Sequence, residues 1–184
     1  LLDYQNYPVL AAELSTMKRR PLGIGIINFA FWLAKNDLNY QDIDKKGLAL
    51  IDTWAEAWSY YLIKASADLA IDKGNIDGIY ETRYGDGITP NQTYKKELDE
   101  LVPHKERQDW KGLRKQLKAT GIRNSTLMAL MPAETSAQIS NSTNGIEPPR
   151  SFVSIKQSKH GVLKQVVPQY AKLKNKYDLL WDQK

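Results

Sequence analysis

Residues 124–140, NSTLMALMPAETSAQIS, run from an apolar stretch straight into a helix start. The order is strand (LMALM), turn (PAET) and helix (SAQIS), the alternation from which α/β folds are built. The junction is dense in small hydrogen-bonding groups: Pro132, Ala133, Glu134, Thr135 and Ser136. Thr135 and Gln138 stand in the T-x-x-Q relation of a capping box, which places Thr135 at the helix N-cap. Free amides are then expected at about residues 134–137, at the positive end of the helix dipole, with the Thr135 and Ser136 hydroxyls beside them. A hydrogen bond to a charged group contributes roughly 1.5–3 kcal/mol net, so a few of them hold a phosphate without Lys or Arg. Micromolar binding needs only about 8 kcal/mol in total. Glu134 is repulsive to such an anion unless its carboxylate points away. On the pattern alone two readings stand side by side, a phosphate site and a well-capped helix that binds nothing.

Outward from the junction, helices dominate. Residues 7–18 read as a helix, Leu22–Ile27 as a short buried strand with Gly23 and Gly25 marking close backbone approach, and Phe29 onward as a packed helix. GIGIIN lacks the third glycine and the strand-first order of a dinucleotide fingerprint, and is read as packing. Residues 47–72 carry the clearest helix, with Trp54, Trp58, Tyr61, Leu62, Ala65 and Leu69 predicted as its core face. Residues 73–92 read as an irregular connection, followed by helices over Thr93–Leu101 and Asp109–Thr120. In the second of these, Trp110, Leu113 and Leu117 form the stripe, Asp109 caps the start and Gly121 closes the end. SFVSIKQ and VLKQVVP flank SKHG as a β-hairpin with Gly161 in the positive-φ position. Tyr170, Leu173, Tyr177, Leu180 and Trp181 mark a last helix.

Composition bounds the function. At 184 residues with 42% hydrophobic content, the chain has the length of one domain and enough apolar side chains for a core. No stretch approaches the roughly 18 uninterrupted apolar residues of a membrane span. The N-terminus lacks a signal-peptide pattern and an initiator Met, so the chain is expected to be part of a longer one. With no cysteine, disulfides, thiolate metal sites and thiol nucleophiles are excluded within these residues, which fits a cytoplasmic protein. The net charge of +5 comes from basic residues interleaved with acids, a solvated surface and not a nucleic-acid face. His104 and His160 stand in polar surroundings without metal-like partners and read as surface residues.

Three long stretches resemble one family. RNSTLMALMPAETSAQISNSTNGIEPPR, LLDYQNYPVLAAELSTMKRRPLGIGIINFAFWLAKN and VSIKQSKHGVLKQVVPQY are each similar to the large, catalytic subunit of class I ribonucleoside-diphosphate reductases, in the expected order. The similarity is weakest across about residues 40–108. The resemblance implies that residues 1–184 are a single segment, incomplete on its own, of the family's ten-stranded α/β barrel. They would supply much of its second half, with the hairpin near the C-terminus. It also implies that Pro132, Ala133, Glu134, Thr135 and Ser136 bind the diphosphate of the substrate ribonucleotide, Ala133 standing where relatives often have Ser.

The implied reaction reduces a ribonucleoside diphosphate at the 2′ carbon to the deoxy form, for DNA synthesis, with a thioredoxin- or glutaredoxin-type reductant. The family's cysteines, Asn and Glu that perform it are expected upstream of residue 1, as is its effector region, so no catalytic residue is assigned here. No cofactor or metal is expected on this segment; the resemblance implies a radical-generating metal subunit and ATP or dNTP effectors bound elsewhere. The implied partners are the substrate, the remainder of the large subunit (same chain or separate piece) and the radical-generating small subunit, with no nucleic acid and no membrane. The family's radical-relay tyrosine pair belongs downstream of Lys184, so Tyr60–Tyr61, inside an amphipathic helix, reads as packing. Arg150 in EPPR is open to two roles, near the active site or in a structural salt bridge. A rival reading of the whole is a non-catalytic remnant or interaction module that retains the half-barrel.

Overall fold

The computed structural model describes residues 1–41, 43–159 and 161–178. They fall into two compact units: Leu1–Ile24 with Leu48–Met128, and Gly25–Gly47 with Ala129–Lys184.

The first unit is helical. It holds α1 (Leu10–Arg19), nearly all of α3 (Lys45–Lys73) and α4 (Trp110–Thr120). The core gathers Tyr60, Ile63 and Ala67 of α3 with Trp110, Leu113 and Leu117 of α4, closed by Ile76, Ile79, Ile122 and Leu127. α4 forms as its residues predict. The Asp109 carboxylate accepts from the Gly112 amide at 2.9 Å, and Gly121, at φ +74°, ends the helix with its N–H on Leu117 O at 2.8 Å. In α3 the predicted core face is displaced. Tyr61, Ala65 and Leu69 are exposed, and the buried stripe is Glu56, Tyr60, Ile63, Ala67 and Ala70. Apolar residues surround this helix almost completely, so two stripes fit the helical period. The one with small residues, Ser66, Ala67 and Ala70, permits close packing. Tyr60 and Tyr61 meet edge to face at 5.2 Å, Tyr60 in the core and Tyr61 outside it.

Strands in this unit are shorter than expected. Of the expected strands Leu22–Ile27 and Leu127–Met131, this unit keeps one parallel bridge, Ile24 with Met128, supported by Leu22 N–H on Thr126 O (2.9 Å) and Ile24 N–H on Leu127 O (2.7 Å). Pairing this brief leaves no continuous ladder, although the direction is that of neighbouring strands in a parallel sheet. The helix expected over Thr93–Leu101 contracts to a 3-10 turn, Lys96–Glu100, ahead of Pro103. Residues 73–92 are irregular as expected, with 3-10 turns at Ile79–Glu81 and Pro90–Gln92. His104 is half-buried beside the Tyr94 ring at 5.2 Å, and its Nε2 is shielded from solvent without a partner among the described residues. The expectation of a surface histidine holds only in part, because the Tyr94 ring lies against the imidazole, tilted 56° to it.

The second unit contains α2 (Phe29–Lys35), α5 (Glu134–Ile139), the antiparallel strands β1 (Val153–Ser158) and β2 (Gly161–Val166), and α6 (Tyr170–Asp178). Gly161, at φ +124°, opens β2 as predicted. Ala34, Val167 and Tyr177 form the core, with Phe152, Tyr170 and Leu173 against it, and the Tyr177 hydroxyl donates to Pro168 O at 3.1 Å. A Cβ on Gly25 would lie 2.5 Å from Met131 Sδ and 2.7 Å from Ala129 O, the close approach its glycine implies. His160, Leu180 and Trp181 lie outside the described residues. Among the described residues no helix is long and apolar enough to cross a membrane, and no cluster of His, Cys, Asp or Glu is arranged to hold a metal ion.

One polar knot fastens the first unit. The buried Glu56 carboxylate accepts from the Arg107 amide (2.6 Å), the Gln108 amide (3.2 Å), the Trp110 indole N–H (2.9 Å) and the Arg107 guanidinium (2.8 Å). The same guanidinium reaches Asp52 at 2.7 Å. Burial pushes the Glu56 carboxyl up, but the four hydrogen bonds, that of the Arg107 guanidinium foremost, outweigh it and hold it below its ordinary 4.5. Removing this acceptor strands buried donors, so Glu56→Ala is expected to destabilise the unit by about 3–5 kcal/mol in urea unfolding. A lowered native pKa means that the contribution is complete above the ordinary 4.5 and fades as pH falls through the native value. Stability of the parent chain should therefore drop more steeply below that pH than stability of Glu56→Gln.

Candidate functional site

Pro132–Ser136 lies entirely in the second unit. α5 starts at Glu134, with Ala133 as its N-cap and no side-chain cap. The predicted capping box is therefore absent: Thr135 stands inside the first turn, and its hydroxyl makes no bond to the helix backbone. The helix opens two residues early because the chain before it is held by a distant acceptor. The Ala133 amide donates to Asn144 Oδ1 at 2.7 Å, and Ala133 O receives the Ala137 amide at 2.9 Å. With Ala137 satisfied, the amides of Glu134, Thr135 and Ser136 have no acceptor among the described residues. All three residues are exposed, as is Pro132, and Ala133 is half-buried. The structure thus brings the five predicted residues into one turn and leaves three adjacent N–H groups open, one fewer than the expected span of 134–137.

Glu134 does point away from these amides. Its Oε2 lies 3.0 Å from Lys156 Nζ on β1. The Lys156 hydrogen bond and charge, with a further contribution from Arg150, hold the Glu134 carboxyl below the ordinary carboxylate value. Sequence reasoning did not identify Lys156; it lies 22 residues from Glu134, on a different element, and no local pattern joins them. Arg150 makes no ion pair among the described residues and lines the same cleft as Glu134 and Lys156, about 230 Å³ in volume. Thr143 also lines that cleft; it is buried and its Oγ1 has no partner among the described residues.

The hairpin supports the loop from one side. Strand alternation puts Ser154, Lys156 and Gln165 on one face. From it Gln165 Nε2 donates to Ser142 O at 2.9 Å and Ala137 O at 3.3 Å, fixing the end of α5. The Asn28 side chain receives the Thr143 amide at 3.1 Å, and the Asn28 amide donates to Thr143 O at 2.8 Å. The turn therefore presents three neighbouring donors and two hydroxyls from a backbone anchored by Asn144, Gln165 and Asn28. Its chemical competence is to bind an anion. Replacing Asn144 by Ala should release the Ala133 amide and speed its hydrogen exchange by roughly tenfold, the loss of about 1.4 kcal/mol, with exchange in α4 unchanged.

The family described as "Ribonucleotide reductase, barrel domain" matches residues 1–182. The chain is 56% identical to the ribonucleoside-diphosphate reductase subunit alpha of Haemophilus influenzae over 182 residues, which is 99% of this chain and 24% of that protein. Against ribonucleoside-diphosphate reductase 1 subunit alpha of Escherichia coli it is 53% identical over 98% of this chain and 24% of that protein. Against the subunit alpha of Enterobacteria phage T4 it is 48% identical over 98% of this chain and 23% of that protein. The chain spans about a quarter of the length of the curated relatives it matches.

Proposed function

The chain belongs to the ribonucleotide reductase barrel-domain family, and from that premise we propose that it is one segment of a reductase catalytic barrel and supplies the loop that holds the substrate diphosphate. The observation that carries this reading is the turn at Glu134–Ser136, where three adjacent amides lack acceptors and two hydroxyls stand beside them. A diphosphate offers the dispersed negative oxygens that such a donor set satisfies, and each charge-assisted bond contributes roughly 1.5–3 kcal/mol. Neutral donors bind without the deep Coulomb well of a Lys or Arg clamp, which suits release of a product carrying the same diphosphate. Glu134 is compatible with the ligand because its carboxylate is engaged by Lys156.

On this reading residues 1–184 contribute to the second half of a ten-stranded α/β barrel, and the parallel contact of Ile24 with Met128 is one junction between neighbouring barrel strands. The complete cytoplasmic enzyme converts ribonucleoside diphosphates to deoxyribonucleoside diphosphates, with a radical-generating metal subunit as partner and nucleotide effectors bound outside this segment. This segment's task is to bind and orient. Thiol and radical steps need cysteines from outside residues 1–184, because the segment has none.

Two measurements test the reading. Ser136→Asp places an acid in the first turn of α5, where the helix dipole welcomes it, so the helix persists while the cradle turns repulsive. In the complete reductase that substitution should raise KM for cytidine diphosphate roughly tenfold or more, equivalent to about 1.4 kcal/mol or more; an unchanged KM would remove the loop from substrate binding. The 184-residue chain alone should show no turnover with dithiol reductants, and cysteine-bearing remaining portions of the subunit should restore it. Failure of that restoration would favour the non-catalytic alternative.

A further inference from the structure

Lys156 stands where it decides what the loop's own negative charge does. Glu134 is the first residue of α5 and the acid of its first turn. A side chain there has two directions open to it. It can fold over the unbonded amides of its own turn, as a carboxylate at a helix N-terminus is drawn to do, or it can reach outward to a cation. The structure shows the second arrangement, with Glu134 Oε2 3.0 Å from Lys156 Nζ. Lys156 is held at the right place by the hairpin, whose same face carries Gln165 and is bound to the Ala137 and Ser142 carbonyls. Both charged side chains are about half exposed, 43% for Lys156 and 56% for Glu134. An ion pair in that setting adds little to stability, so removing it leaves the fold intact. Its direction matters more than its strength.

We propose that Lys156 is a positioning residue for the diphosphate: by drawing the Glu134 carboxylate toward the hairpin, it keeps the loop's own anion from competing with the ligand for the amides of Glu134, Thr135 and Ser136. The inference rests on the reading of that turn as the diphosphate site. Arg150, in the same cleft, reinforces the field that draws the carboxylate outward without contacting it as an ion pair.

The test uses the full-length subunit that carries this segment, with cytidine diphosphate as probe. Kd is measured by equilibrium dialysis, and KM and kcat are measured with the radical-generating partner present. Lys156→Ala should raise Kd and KM roughly three- to tenfold with kcat unchanged, the scale of one partly screened charge near a bound anion. Lys156→Arg should restore both. The effect should shrink at high ionic strength, because the competing charge is exposed. The decisive variant is Lys156→Ala combined with Glu134→Gln, which keeps the backbone amide but has no carboxylate left to restrain, and should recover most of the affinity that Lys156→Ala loses. If Lys156→Ala binds like the parent, the proposal is wrong. It is equally wrong if the double variant stays as weak as Lys156→Ala, for then Lys156 touches the phosphate itself. Ser136→Asp separates the two levels: if it leaves Kd unchanged, the diphosphate reading fails, and if it weakens binding while Lys156→Ala does not, only the role of Lys156 fails.

Discussion

The hydrogen bond from the Ala133 amide to the Asn144 side chain sets the register of the whole site. By engaging the donor just before α5, it lets the helix begin at Glu134 without a side-chain cap. Three consecutive amides are left open because the first turn of a helix has no intrahelical acceptors and Ala133 carries no capping side chain. A capped helix would have spent at least one of them internally. The cost of leaving them open is met by water here, since Glu134, Thr135 and Ser136 are all exposed. On the proposed reading, an anion with several oxygens takes the place of that water.

Rigidity around the loop comes from elements distant in sequence. Gln165 of β2 binds two carbonyls at the end of α5, Asn28 binds Thr143 through both its side chain and its backbone, and Lys156 of β1 engages Glu134. The opposite face of the hairpin carries Val153, Ile155, Val162 and Val166, all exposed, which is more apolar surface than two strands ordinarily leave to water. Leu130 and Ile139, on either side of the turn, are exposed as well. These surfaces accord with a chain that spans about a quarter of its relatives' length and, in the proposed reading, docks with the rest of the subunit.

Legibility of the fold followed how many independent signals agreed. α4 had a stripe, an N-cap Asp109 and a closing Gly121, and formed as written. The hairpin had alternation on both sides of Gly161 and likewise formed. α3 offered apolar residues on nearly every side, and only packing against α4 selects Tyr60, Ile63 and Ala67 over Tyr61, Ala65 and Leu69. At the site, Pro132–Ser136 could be found in the sequence because small polar residues crowd a strand-to-helix junction. Its cap could not: T-x-x-Q pointed to Thr135, whereas Asn144, eleven residues on, supplies the contact that moves the start to Glu134. Lys156 was invisible for the same reason, its partner lying across the hairpin and not along a helix.

On the proposed reading, open backbone amides at Glu134–Ser136 grip the diphosphate. The most direct measurement is site-resolved hydrogen exchange of the full-length subunit with and without cytidine diphosphate. The ligand should slow exchange at Glu134, Thr135 and Ser136 together, while Ala137, already bonded to Ala133, should change little. Saturating ligand with no protection at any of the three amides would contradict it.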